Sequence, residues 1–457
     1  MIPDLTGATT YAGAPVVVAG AGVSGAAAAH VLRDLGAAVT VVDARAEALE
    51  QLAEQGFSIS HELPDELAQV VTSPGWAPTS PLLVAAAARG IEVIGEVELA
   101  WRLRGPRGAP WLAVTGTNGK TTTVRMLEAV LRAAGHRTVA AGNVGLPLLE
   151  AVLHLEPYDV LAVELSSFQL HWSSTLAPYA GALLNVADDH TDWHGSFHAY
   201  ALDKGRIFGG ARSIGNADDE VSRTMLSRAA GRRVTFTLRV PRAGEFGLVE
   251  HLMVDRAFPD VPGEASELAS LADLTVPGAH NVSNALAAAA LARSYGVPAE
   301  AVRDGLRAFC PDPHRNALVR VHEGVSWVDD SKATNPHAAA ASLAAYEPVV
   351  WIAGGLLKGA DVDDLVRQAA PRLRAAVLLG TDRARLLDAL RRHAPQVPVV
   401  QVARLDTGAM PEIVRAARQL AQPGDTVLLA PAAASMDCFR NYAERGELFA
   451  AGVLALA

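Results

Sequence analysis

Cysteine is scarce. The 457-residue chain has two, Cys310 and Cys438, which suggest no disulfide framework. Positive charge is short as well: 39 Lys and Arg against 49 Asp and Glu leave a net charge of −10. That balance argues against a nucleic acid held on a broad basic surface. It leaves anionic small molecules open, because a glycine loop and a single lysine can bind those. Long apolar runs are missing too. The alanine-rich stretch 285–292 falls short of the ~20 residues of a membrane span, so no membrane insertion is expected. Met1 to Gly7 has neither the basic start nor the apolar core of a signal peptide, and a cytoplasmic protein is expected. No internal repeat or low-complexity tail stands out.

What is present is an ordinary globular composition, half hydrophobic and 19% charged. The length sets a prior of about three domains.

The chain is best read outward from Trp111 to Thr123. Trp111 to Thr115 is an apolar run of strand type. From Lys120 the pattern turns helical, with Val124, Leu127, Val130, Leu131 and Ala134 at spacings of three and four and Gly135 as a stop. Between them lie Gly116, Thr117, Asn118, Gly119, Lys120 and Thr121. Glycines let the backbone wrap a phosphate chain, and the first N–H groups of the helix point at it. Lys120 adds a charge near the terminal phosphates, and the Thr121 hydroxyl can ligate Mg²⁺. The general P-loop would have a glycine at Val114, so the entry to this loop differs. ATP is the expected ligand.

Upstream, Pro15 to Ala19 reads as a buried parallel strand, followed by Gly20-Ala21-Gly22-Val23-Ser24-Gly25 and a helix over 24–35. A second strand, Thr40 to Val42, runs into Asp43. This is a dinucleotide-type fingerprint in its strand–turn–helix setting. Alone it does not separate NAD from FAD or a UDP-sugar. Val70 to Gly75 reads as a strand entering a turn, and Gly105 to Gly108 as a linker.

Downstream, strands and helices alternate. Asp159 to Val163 leads to Glu164, and Ala182 to Val186 leads to His190. In such sheets ligands gather beyond the carboxyl ends of strands, where a carboxylate and an imidazole can complete an Mg²⁺ shell. Tyr200 to Phe208 reads as an amphipathic helix in which Lys204 is most simply solvated. Residues 256–275 read as a loop before a strand. Asn281 and Asn284 share a face of the next helix's first turn, where amides could cap it or touch a purine. A third α/β unit follows, with strands near 349–353, 376–379, 399–402 and 427–430. Its notable turns are Asp329 to Asn335, Gly354 to Asp361, and Pro431 to Ser435 running on to Arg445.

These segments together resemble the Mur ligase family of peptidoglycan synthesis, and the likeness covers nearly the whole chain. Val114 matches the family's own P-loop. The resemblance implies an α/β protein of three domains: a Rossmann-like UDP-sugar-binding domain (1–106), a central P-loop ATPase-like domain with a mainly parallel sheet (107–311), and a Rossmann-like amino-acid-binding domain (312–457). It implies an ATP-dependent ligase that forms an amide through an acyl phosphate. Ser331 to Asn335 resembles the members that add D-glutamate to UDP-N-acetylmuramoyl-L-alanine. Two positions depart mildly: Pro431 to Ser435 has alanine where cysteine is frequent, and Tyr442 stands where phenylalanine is common.

By the same resemblance, ATP meets Gly116 to Thr122, Asn281, Asn284, Arg315 and Asp330. The UDP-sugar meets Val23, Ser24, Gly25, Asp43, Ser73, Gly75, Asn143 and His190. D-glutamate meets Lys332, Thr334, Lys358, Ser435 and Tyr442. Lys120, Glu164, His190 and Lys204 are the expected catalytic set. Two Mg²⁺ ions are expected on Thr121, Glu164, His190 and Lys204, the last as a carbamate, since an ammonium cannot ligate a cation. A monomer is expected. The rival readings are an L-alanine-adding relative, a nicotinamide-dependent dehydrogenase with an appended ATPase, and a P-loop switch protein.

Overall fold

The computed structural model describes residues 11–456 except Pro262 and Asp312. The N-terminal stretch read for a leader lies outside the described residues. Among those described, the strands form three sheets of five, nine and six strands. They fall into two compact units, the first comprising 1–274 with 282–309 and the second 275–281 with 310–457.

In the first unit, a parallel sheet has the spatial order Ser58–Ile59, Ala38–Val42, Pro15–Ala19, Gln69–Thr72, Glu92–Gly95. Val16 to Ala19 are buried without interruption, as a strand covered by helices on both faces requires. The first-strand–loop–helix reading holds: the helix is Val23–Asp34.

The second sheet of this unit places Trp111–Thr115 between Ala180–Leu183 and Val160–Glu164, all parallel, with Thr138–Gly142 at its edge. The strand anticipated at 182–186 therefore lies two to three residues earlier, at Ala180–Leu183, and Asn185 and Val186 lie in the loop beyond it. Toward the other edge, Glu245–Val249, Leu252–Asp255 and Ser266–Ser270 pair antiparallel. Residues 256–275 are thus not only a loop. The proline- and acid-rich composition masked a short strand whose ladder comes from a hairpin partner rather than from its own propensity. Helix Ala299–Ala308 closes this unit against helix Lys120–Ala133. The approach is so close at Gly305 that a Cβ there would lie 2.4 Å from Val130 Cα.

The second unit's sheet runs Ala317–His322, Val325–Asp329, Thr426–Leu429, Val349–Gly354, Leu373–Leu379, Val399–Gln401, parallel except for its first pair. The first two strands form a hairpin that periodicity does not reveal, because the outer strand is only partly buried. No helix is long and apolar enough to cross a membrane among the described residues.

Candidate active site

The central strand Trp111–Thr115 ends at Thr115, and helix Lys120–Ala133 begins five residues later. Gly119 makes the turn with φ +84°, a left-handed conformation that glycine adopts without steric cost. A Cβ there would also meet Asn284 Oδ1 at 2.3 Å. The loop is braced from the neighbouring strand's exit. Asn118 N–H donates to Asn185 Oδ1 (2.9 Å), and Asn185 Nδ2 returns a bond to Asn118 O (3.1 Å). Thr117 Oγ1 lies 3.0 Å from the Tyr200 hydroxyl. Lys120 Nζ donates to the carbonyls of Gly116 and Thr117, each at 2.9 Å. Thr121 is buried and Thr122 half-buried in the first turn.

Glu164 closes the adjacent strand and is 1% exposed. Its Oε1 accepts from Asn143 Nδ2 at 2.7 Å, while Oε2 is buried without a hydrogen-bond partner. A polar oxygen left unpaired in the interior is costly. A hard cation that prefers oxygen would satisfy it, so Glu164 with the Thr121 hydroxyl fits Mg²⁺. His190 sits at φ +53° ahead of the turn Thr191–His194, its ring 4.8 Å from that of Phe168. Burial, reinforced by the charges of Lys204 and Lys120, lowers its pKa against the pull of Asp189 and Asp192. A neutral ring nitrogen can ligate a metal, and Mg²⁺ prefers oxygen to imidazole.

Lys204 corrects the residue-level reading of a solvated lysine. It is 2% exposed, and its Nζ donates to Gly116 O at 2.8 Å. Helix Phe197–Gly205 turns this side chain inward against the phosphate loop, and a helix pattern alone does not reveal a neighbour from another element. Burial first, then the charge of Lys120, pushes its pKa well below the ordinary 10.5.

At the carboxyl edge of the first sheet, Gly20 and Gly25 are required by close approach. A Cβ on Gly25 would lie 1.8 Å from Gly20 O, and one on Gly20 would lie 2.4 Å from Ser73 Oγ. Ser73 Oγ is itself buried without a hydrogen-bond partner. Val23 is 78% exposed at the helix start, with Ser24 beside it half-buried. Gly75 has open space around it. Asp43 is turned back onto its own loop, accepting from Ala21 N–H (2.6 Å) and from Arg45 N–H (2.9 Å) and Nη2 (3.0 Å). Burial raises its pKa, but the Arg45 and Ala21 bonds prevail and hold it at about 2.

In the second unit, Asp330 is buried, accepting from Asn316 N–H at 3.2 Å and from the Ser342 hydroxyl. Burial lifts its carboxyl to about 6, against the pull of the Ser342 bond and the Arg315 charge. Lys332 Nζ lies 3.7 Å from the centre of the Tyr442 ring, a cation–π contact. Thr334 is in the same turn, its N–H donating to Lys332 O at 2.8 Å. Lys358 is exposed at φ +51°, and Ser435 is buried. Asn281 donates through Nδ2 to Pro277 O at 2.7 Å, so its amide ties down the entry to helix Ala279–Tyr295.

Several residues of these sites were read only as parts of longer stretches, with no role of their own. Tyr200 and Asn185 brace the phosphate loop, a role that their stretches do not reveal. Arg445 is fully buried and donates to Ser331 Oγ, Ser331 O and Ala433 O, stitching together two turns that were noticed only separately. His314 Nδ1 and Asp329 Oδ2 lie 2.6 Å apart.

Three family descriptions match in chain order: "Mur ligase MurD-like, N-terminal domain" over 14–95, "Mur ligase middle domain" over 114–292, and "Mur ligase, glutamate ligase domain" over 314–433. A protein named UDP-N-acetylmuramoylalanine–D-glutamate ligase from Thermobifida fusca is 61% identical, covering 97% of this chain and 99% of that one. Proteins of the same name from Streptomyces avermitilis (56%, covering 98% and 99%) and Mycolicibacterium smegmatis (49%, covering 99% of each) are also similar. Two solved structures share the fold. MurF from Acinetobacter baumannii has a TM-score of 0.62 at 19% identity, covering 91% of this chain and 90% of that one. The UDP-N-acetylmuramate–alanine ligase MurC from Thermotoga maritima has 0.58 at 20%, covering 96% and 99%. With relatives this similar along their full lengths, the chain belongs to the Mur ligase family.

Proposed function

We propose that this chain is an ATP-dependent ligase that joins D-glutamate to UDP-N-acetylmuramoyl-L-alanine, yielding the amide, ADP and phosphate in the cytoplasmic part of peptidoglycan precursor synthesis. Full-length relatives bearing that name support the substrates. The observation that carries the chemistry is the gathering of Lys120, Lys204 and the half-paired Glu164 around one phosphate-type loop.

The reaction brings anions together twice: ATP against the alanine carboxylate, then the acyl phosphate against D-glutamate. Loop N–H groups and Lys120 hold the phosphates, and Glu164 and Thr121 hold Mg²⁺, which offsets oxyanion charge when bound. The carboxylate takes the terminal phosphoryl group. The amine then adds to the activated carbonyl, loses a proton and expels phosphate. His190 serves as ligand of a second Mg²⁺ or borders the sugar substrate.

Lys204 acts as a carbamate. Its depressed pKa favours the neutral amine, whose lone pair adds to CO₂ with loss of one proton. The oxygen anion so formed is a ligand that the ammonium is not.

Val23, Ser24, Gly25, Asp43, Ser73, Gly75 and Asn143 take the UDP-sugar. Asn281, Asn284, Arg315 and Asp330 take adenine and ribose. Lys332, Thr334, Lys358, Ser435 and Tyr442 offer donors to the two carboxylates of D-glutamate. The three-domain division is 1–106, 107–311 and 312–457, and the working form is a monomer.

The test is phosphate release from Mg-ATP with UDP-N-acetylmuramoyl-L-alanine, adding D-glutamate, L-glutamate, L-alanine or diaminopimelate in parallel. Release with D-glutamate alone, with an adduct of matching mass, is expected. Release with another acceptor keeps the ligase and overturns its specificity; release with none overturns the reading.

A further inference from the structure

Helix Phe197–Gly205 presents Lys204 to the phosphate loop and the preceding residue, Asp203, to a different set of neighbours. Asp203 is buried. Its Oδ2 is 2.8 Å from His171 Nδ1 and 2.9 Å from His194 Nδ1, and its Oδ1 is 3.2 Å from Arg206 Nε. The His194 side chain has no exposed surface, and its Nε2 lies 3.0 Å from Ser167 Oγ. An ionised carboxylate only accepts, so the proton of His194 sits on Nδ1. Its other ring nitrogen faces the Ser167 hydroxyl.

The members of this line come from three segments. Ser167 opens the helix Ser167–His171 just after Glu164. His194 ends the turn Thr191–His194 that His190 opens. Asp203 is the covalent neighbour of Lys204. One buried hydrogen-bonded line thus ties together the segments that carry the three candidate metal ligands beyond the phosphate loop. Between Asp203 and Lys204 the helix turns by about 100°, so a grip on Asp203 fixes the rotation of the helix and hence where Lys204 Nζ arrives.

We propose that Asp203, clamped by His171 and His194, is the positioning residue that sets Lys204 for its role in the ligase reaction. The inference rests on the reading of Lys204 given above.

Two other roles fit less well. Ser167, His194 and Asp203 are connected in the order of a nucleophilic triad, but Ser167 and His194 are buried, so no substrate carbonyl reaches the hydroxyl. His171, His194 and Asp203 also lie within metal-ligand spacing. However, both Nδ1 atoms are at hydrogen-bond distance from one carboxylate oxygen and Arg206 faces the other, so the cluster is satisfied without a cation.

The test compares wild type with Asp203→Asn, His194→Ala, His194→Asn and Lys204→Ala. It reads kcat, KM for ATP and for D-glutamate, the melting temperature, and the carbamate carbon resonance after incubation with ¹³C-bicarbonate. Misplacement on the ångström scale predicts a kcat loss of about 10²-fold in Asp203→Asn and His194→Ala. KM for ATP should stay within about twofold, because the loop N–H groups and Lys120 are untouched. The carbamate signal should fall with kcat. His194→Asn, which keeps an N–H near the position of Nδ1, should recover most of the turnover, which a general packing defect would not allow. If Asp203→Asn does not fold, His171→Asn, at the partly exposed end of the clamp, reads the same effect.

Wild-type kcat and carbamate signal in Asp203→Asn, beside an inactive Lys204→Ala, would overturn the positioning role and leave the Lys204 reading intact. Wild-type turnover in Lys204→Ala would remove both.

Discussion

Lys120 and Lys204 donate to the same atom, the carbonyl oxygen of Gly116, at 2.9 and 2.8 Å. Two amines held against one acceptor disfavour each other's charged form, and burial adds to that, which is what depresses the Lys204 pKa. Such an arrangement costs stability and makes sense where an anion is to be bound. Lys204→Met should therefore raise the stability of the first unit by about 1 kcal/mol while abolishing turnover. Thermal melts paired with the phosphate-release assay check this. A variant less stable than wild type would refute this and show that the Gly116 bond and the contact with the Tyr200 ring, 4.6 Å away, outweigh the cost of burial.

Glu164→Gln keeps the atom that accepts from Asn143 but removes the charge beside the unpartnered oxygen. The expected result is a kcat loss of about 10²–10³-fold and a higher Mg²⁺ concentration at half-maximal rate. A Mg²⁺ titration unchanged from wild type would contradict the assignment of this oxygen to the cation.

Asp330 supplies a pH prediction for folding. Its carboxyl is raised from 3.8 to about 6 in the folded chain, by burial against the pull of Ser342 and Arg315. The folded state thus holds a proton that the unfolded state has already released, and stability falls as pH rises from about 4 to about 6. Asp330→Asn removes that loss. It should stabilise the second unit by up to about 3 kcal/mol above pH 7 and have little effect near pH 4. Denaturant melts at the two pH values decide it, and a variant destabilised equally at both would refute it.

Two glycines near the first sheet separate folding from binding. A Cβ at Gly25 would overlap the Gly20 carbonyl, and backbone cannot give way as a side-chain tip can, so Gly25→Ala should destabilise by about 2–4 kcal/mol. Gly75 has nothing within reach of a Cβ and no left-handed φ. Gly75→Ala should fold like wild type and raise only the KM for the UDP-sugar. An unchanged KM would take Gly75 out of the site.

The amino-acid end is tested at Lys358 and Tyr442. Lys358 is exposed at the tip of its turn, so Lys358→Ala should raise KM for D-glutamate about tenfold and leave KM for ATP alone. Tyr442→Phe keeps the ring under Lys332 and should change KM little, while Tyr442→Ala loses a contact of about 0.5–2 kcal/mol. Equal kinetics in all three would move the D-glutamate site elsewhere.

The sequence was most legible where one physical need dictates residue type locally. Gly20, Gly25, Gly119 and the apolar runs before them could be placed because strand, tight turn and helix follow each other within a dozen residues. Lys204 was misread at the residue level because nothing in Tyr200 to Phe208 reveals that a carbonyl from residue 116 will lie over it. The Asp203 clamp was missed for the same reason: His171, His194 and Asp203 meet only in the fold. The hairpin Ala317–His322 with Val325–Asp329 escaped because a partly exposed edge strand lacks a clean alternation. Asp43 was anticipated at the end of its strand, but its commitment to Arg45 and Ala21 was not, since an acid's partners are not written in its own neighbourhood.

The order of residues along the chain and the order of the folded units differ. A fragment ending at 274 contains both sheets of the first unit yet lacks 282–309, whose Gly305 lies against Val130 on the helix that begins with Lys120. Such a fragment would expose the back of the nucleotide helix and could not serve as an isolated ATP-binding module. An exchange of the second sheet by recombination would therefore have to join chains after Phe309, so that the donor brings a whole sheet and the recipient keeps every helix its phosphate loop leans on.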